Sequence, residues 1–372
     1  MATLWEPIAV IPNIDAKDPI QNSRIAIASA KDERVHAQVA RNPALAKFLS
    51  SFRDAHSNSI VPSLILWASD PVSTAAPELE AICNFRDAAA LSYVALGRAK
   101  RLTGSGFPDV LWADYFSLYP WMLAKNNQSI ICNTPAVLGT HELSSFSGQS
   151  SPELMPTSIF TGDCDLTLFE SLQRHWVAAW SGGKTGWSDI ALFRSLNMAF
   201  RASAMPAGGE AATFYDIGRA VALWVSAFEI LCHPGPGGGA NLAEVYKFLN
   251  KIPFILDASK DAVHPTFKAG KKKKEDSNIA CFIYGELYLA RNDFLHGNPV
   301  PRDRLIIVKS KQPLYNYAAP LYRLALTAFL DLSWKQPSPG MSDLQKLGEW
   351  STKKDNFEDY QESIERALLT SQ

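Results

Sequence analysis

The sequence lacks what several common classes of protein require. Its five cysteines, Cys83, Cys132, Cys164, Cys232 and Cys281, are scattered and odd in number, and no two form a CxxC pair. Neither a thiolate zinc site nor a disulfide framework is expected, and reduced thiols fit a cytoplasmic protein. Charge of one sign is also missing: the net charge is −1, so the whole molecule is no obvious polyanion or membrane binder. The longest apolar run, residues 220–232, contains Glu229 and is too short to span a bilayer, so no membrane partner is expected. The first ten residues have no basic stretch followed by an apolar one, so no signal peptide is expected. Gly183-Lys184-Thr185 resembles part of a phosphate loop. That loop needs a glycine five residues before Gly183, where Ala178 stands, and a preceding strand where the pattern is helical.

What remains is ordinary globular material. The chain has 372 residues, 47% of them hydrophobic, enough for two domains with separate cores. Residues 1–180 read as a mixed α/β or α+β domain of no recognisable fold, a sensor or regulator by position. Residues 24–29, 60–67 and 129–132 are short apolar runs that predict strands. Residues 33–56 predict helix interrupted near Pro43. Residues 77–100 predict a long helix with Leu79, Ile82, Phe85, Ala89 and Tyr93 on one side. Residues 139–156 are rich in Ser and Pro and predict loop. Residues 165–180 return to helix, with Asp163 or Asp165 as N-cap. The flexible stretch 181–186 is the expected boundary.

From Trp187 onward the pattern is all helical. Helices are predicted over 188–205 (stripe Ile190, Phe193, Leu196, Phe200), 209–232 (stripe Ile217, Val221, Trp224, Phe228, Leu231), 241–252, 277–297 and 313–334. Asn241 is the expected cap of the third, and His233-Pro234-Gly235-Pro236 stops the second. Residues 253–276 predict a loop carrying Lys271, Lys272, Lys273 and Lys274. Five amphipathic helices over residues 187–334 make a helical bundle. Residues 335–372 predict a linker and a charged helical tail.

The helix ending at Gly297 organises this half. Ile283, Leu287, Ala290 and Phe294 form a core stripe, and Tyr284, Tyr288, Arg291, Asn292, Leu295 and His296 form the neighbouring one. Three features occur together: residues 223–231 (Leu-Trp-Val-Ser-Ala-Phe-Glu-Ile-Leu) before a glycine-rich break, residues 290–297 (Ala-Arg-Asn-Asp-Phe-Leu-His-Gly) at the end of a later helix, and a closing apolar helix. In these the chain resembles a HEPN domain of the Apea-like, abortive-infection-associated branch, over residues 187–334. The resemblance implies a helical bundle, a homodimer that brings two Arg/His sets into one cleft, and metal-independent cleavage of RNA by a toxin-like or anti-phage effector. No cofactor and no metal are implied.

The residue chemistry stands beside that resemblance. Cleavage through the 2′-hydroxyl needs a proton acceptor, a cation for the phosphorane and a proton donor for the leaving oxygen. Histidine titrates near neutrality, and arginine binds phosphate oxygens through a planar fork. His296 is therefore the expected general base or acid, Arg291 the phosphate ligand and Asn292 an orienting hydrogen bonder. Tyr288 is a candidate for base stacking. Asn292 and His296 share a helix face, whereas Arg291 sits about 140° around from His296. Structural roles compete: His296 as a helix-end cation, Arg291 paired with Glu229 or Glu286, the tyrosines as packing residues and the lysines as a solvated loop. Glu229 lies off its helix's core stripe and is costly to bury unpaired; bound to Arg291, it also holds that side chain. Asp293 brings a negative charge between Arg291 and His296. The bundle carries about +4, and the four lysines are a candidate RNA clamp. The alternative reading is a catalytically silent HEPN module that binds RNA, a nucleotide or a protein. His141, Glu142, Asp163 and Asp165 form no recognisable constellation for an enzyme in the N-terminal half.

Overall fold

A computed structural model describes residues 4–69, 78–104, 112–125, 127–132, 140–151, 154–180, 185–205, 213–268, 274–332, 338–341 and 343–372. The N-terminal part is strand-rich and the C-terminal part mostly helical. Contacts divide the chain into one unit of residues 1–90 and 112–163 and another of residues 91–111 and 164–372. Residues 164–180, expected with the first domain, thus group with the second unit. The physical reason is Asp165, whose carboxylate is buried against Arg323 at 2.7 Å. Of the expected boundary, residues 181–184 lie outside the described residues.

The first unit is built on strands. β1 (Leu4–Ile11), β3 (Ile20–Gln21), β4 (Ile25–Ser29) and β5 (Ser63–Ser69) form an antiparallel sheet in the order β1-β5-β4-β3. Pro7 lies on β1, an edge strand, where its missing N–H is tolerated, and the pairing shifts register between Pro7 and Ala9. Alternate residues Val10, Ala26, Ala28, Leu64 and Leu66 face one core, covered by α1 (Glu33–Val39) and α2 (Pro43–Ser50) through Val35, Leu45 and Phe48. Pro43 is the first residue of α2, and Asn42 caps it through Ala44 N and Leu45 N. β6 (Trp121–Leu123), β7 (Ser129–Cys132) and β8 (Thr140–Glu142) form a second antiparallel sheet, and β2 (Ile14–Ala16) pairs in parallel with β9 (Thr157–Ile159). β8 and β9 fall in or beside the stretch expected as loop. α3 (Leu79–Thr103) runs through both units' residue ranges.

The second unit is a helical assembly: α4 (Leu166–Trp180), α5 (Trp187–Ala202), α6 (Phe214–Leu231), α7 (Leu242–Leu249), the single turn α8 (Asp257–Lys260), α9 (Ile279–Leu295), α10 (Ala318–Phe329) and α11 (Leu344–Leu369). α6 is its centre and packs along α5 and α9. Val221, Trp224, Phe228 and Leu231 are buried as expected from their spacing. On α5, Phe193, Leu196 and Phe200 are buried, but Ile190 is 40% exposed. Trp224 and Phe228 meet Tyr322 of α10, each at 5.5 Å between ring centroids, and the Tyr322 hydroxyl bonds Ser195 of α5 at 2.6 Å. Two features differ from expectation. Residues 253–276 are not all loop: β10 (Val263–Thr266) and β11 (Glu275–Asn278) pair as antiparallel strands. The charged tail is helical as expected, over 26 residues, but it buries Phe357, Tyr360, Ile364 and Leu368 and two polar residues, Gln361 and Glu365. Glu365 accepts the backbone N–H groups of Ile255 and Leu256, and Gln361 bonds Glu365.

Candidate functional site

α9 is fixed at both ends by local chemistry. Asn278 caps its start by accepting the Cys281 N–H at 2.9 Å. At its end His296 is the C-cap residue, and Gly297 takes φ +69°, a left-handed value that a side chain resists. The Asn298 N–H returns to the Asp293 carbonyl at 3.1 Å and the Gly297 N–H to Phe294 at 3.5 Å, the two bonds of a Schellman stop. Phe294 lies against Gly218 of α6, where an added Cβ would come within 2.4 Å of its ring. That glycine lets the end of α9 approach α6.

The Arg291 guanidinium donates from one Nη to Glu229 Oε2 at 3.1 Å and from the other to Asn292 Oδ1 at 2.9 Å. Its Cζ lies 5.5 Å from the centre of the Tyr288 ring, within cation–π range. Arg291 Nε is buried and has no acceptor among the described residues. Burial pushes the Glu229 carboxyl above its usual range, against the opposing pull of Arg291. Tyr284 packs on Phe228 at 5.1 Å, and its buried hydroxyl has no partner among the described residues; burial, then the nearby Glu229, push that hydroxyl well up.

Glu229, Tyr288, Arg291 and Asn292 are thus brought together. His296 stands apart from them at the exposed end of the helix, and among the described residues no hydrogen bond reaches its imidazole. Asp293 does not join the cluster either. Its carboxylate is held by Arg304 Nε at 3.0 Å, and Arg304 Nη1 reaches Glu286 at 2.8 Å. Sequence reasoning missed Arg304: it follows a Pro-rich turn, and no helical spacing links it to Asp293. Lys274, the described member of the lysine run, lies 3.3 Å from Glu286. Lys271, Lys272 and Lys273 lie outside the described residues.

The other polar candidates have structural partners. His141 meets the rings of Trp121 and Phe146, and Asp165 caps α4 through Leu168 N while pairing with Arg323. Among the described residues no group of three or more His, Cys, Asp or Glu could hold a metal ion, and no helix is long and apolar enough to cross a membrane. The arrangement can present one oriented guanidinium, the Tyr288 ring beside it and, a helical turn further on, the exposed imidazole of His296.

No family model matches the chain, and no match is found among curated proteins or solved structures.

Proposed function

We propose that this protein is a metal-independent endoribonuclease of HEPN type, acting as a toxin-like or anti-phage effector through Arg291, Asn292 and His296. The observation that carries the reading is the fixed Arg291 fork, held by Glu229 and Asn292 on the helix that ends in the exposed His296. A pre-oriented guanidinium loses little freedom when it meets a phosphate. In the reaction the 2′-oxygen attacks phosphorus and its proton passes to a base. The bond from phosphorus to the 5′-oxygen breaks, and an acid returns a proton to that oxygen. The products are a 2′,3′-cyclic phosphate and a 5′-hydroxyl. One histidine cannot serve both transfers at once, so a symmetric dimer, with His296 from each copy at one cleft, suits the chemistry.

A second reading is a silent HEPN module that binds RNA, a nucleotide or a protein. It is favoured by the engagement of both Arg291 Nη atoms and by the absence, among the described residues, of any group that orients His296. Incubation of the full chain with total RNA in EDTA separates the two. Cleavage leaving cyclic phosphate ends, lost in Arg291→Ala and His296→Ala, supports the nuclease. RNA retention without cleavage supports the silent module.

A further inference from the structure

Arg304, which bonds Asp293, also lines a cleft of about 660 Å³. That volume is within the range of small-molecule sites, about 300–1,000 Å³. β10 supplies His264, the first turn of α9 supplies Phe282, and the segment after the short turn Arg302–Leu305 supplies Ile307 and Lys309. Ser371, just past α11, also lines it. The Ile307–Lys309 wall is a tight loop. Ile307 N–H donates to Gln312 at 2.9 Å, Lys311 N–H returns to Ile307 at 2.9 Å, and Lys311 takes φ +58°.

The lining is mainly apolar. His264 stacks on Phe282 at 5.0 Å with 23° between the planes, and Ile307 and Leu314 are buried beside them. Val308 is 74% exposed although it lines the cleft, so apolar surface is left facing solvent. Two polar groups of the lining have no hydrogen-bond partner among the described residues. They are the hydroxyl of Ser371, a residue 1% exposed, and the buried Nε2 of His264. Such atoms normally find a partner, since burial without one forfeits the hydrogen bonds made to water.

The charges indicate the sign of the ligand that the cleft suits. Of the three cations among the described residues of the cleft, Arg304 is engaged by Glu286 and Asp293, and Lys274 by Glu286. Lys309 pairs with no carboxylate among the described residues. Burial and the nearby Lys309 hold the His264 imidazole below its usual range, so near neutral pH it offers a neutral donor or acceptor. One unpaired ammonium, one unpartnered hydroxyl and one neutral imidazole nitrogen match a single negative charge with two acceptor oxygens. A dianionic phosphate would be left half compensated beside Glu286 and Asp303.

We infer that this cleft binds a small amphipathic carboxylate, its apolar body on the Phe282–Ile307 wall and its carboxylate at Lys309 and Ser371. The inference is independent of the ribonuclease reading.

Isothermal titration of the full chain with 2-naphthoate tests it, with 2-naphthylmethanol and 2-naphthyl phosphate as companions. The expected result is saturable binding at one site per chain, at least tenfold weaker for the alcohol and weaker for the phosphate. Lys309 is exposed, so Lys309→Glu should fold as wild type by thermal melting and bind naphthoate at least tenfold more weakly. Lys309→Arg should stay within about threefold of wild type, because it keeps the charge. No saturable binding, or equal binding by wild type and Lys309→Glu, overturns the site. Tighter binding of the phosphate than the carboxylate overturns the headgroup assignment.

Discussion

Glu229 of α6 and Arg291 of α9 form an ion pair at 3.1 Å in which each side chain is about one-fifth exposed. The pair joins two helices at the only described place where the arginine of the expected site is held by an acid. It neutralises the charge that a phosphate would seek, yet it also fixes the direction of the guanidinium.

The pair's stability should depend on pH in a particular direction. Burial raises the Glu229 carboxyl in the folded protein above its usual value of 4.5. A raised carboxyl means that the folded state binds the proton more tightly than the unfolded one. Its stabilising contribution is therefore complete below that ordinary value of 4.5 and is lost as pH rises through the folded-state value. Urea unfolding of wild type and Glu229→Gln from pH 4 to 7 checks this. Wild type should lose more stability than the variant as pH rises, since other carboxylates titrate alike in both. A constant difference would contradict the assignment.

Arg304 should hold the end of α9. It bridges Asp293 and Glu286, two carboxylates seven residues apart on one helix face. Arg304→Gln leaves them facing each other, which should cost about 1 kcal/mol for partly exposed pairs. Hydrogen exchange should quicken several-fold at the amides of His296 and Asn298, which bond to Asn292 and Asp293. Unchanged exchange there would remove Arg304 from the account of the site.

Arg323 should be the most sensitive position outside the site. It is 0% exposed, bonded to Asp165 at 2.7 Å, to Thr327 at 2.9 Å and to Gln361. Arg323→Met leaves the Asp165 charge buried without its counterion, a loss of about 3–5 kcal/mol in urea unfolding. Adding Asp165→Asn removes the stranded charge and keeps an acceptor for Leu168 N. The double variant should recover at least half of the loss. No recovery would mean that packing, not charge, sets the cost.

The features legible in the sequence were those set by local rules. The stripe Val221, Trp224, Phe228 and Leu231 is buried because burial on one side of a helix repeats at its own period. Ser129–Cys132 is a strand and Asn241 caps α7, both as their residues imply. The Glu229–Arg291 pair was legible as a possibility, because a carboxylate beside a helix core needs a partner. Less legible were contacts between distant segments of polar composition. Nothing local marks Gln361 and Glu365 as buried, since the bonds that permit it come from Arg323 and the backbone at 255–256. The β10–β11 pairing is set across an intervening lysine run that reads as loop. Arg304 reaches Asp293 only because Gly297 turns the chain back.

The most direct test of the central claim is cleavage of total RNA by the purified full chain in EDTA, beside Arg291→Ala and His296→Ala. The account predicts fragments ending in 2′,3′-cyclic phosphate, with the rate reduced at least a hundredfold in each variant. Cleavage that persists unchanged in both variants would contradict it.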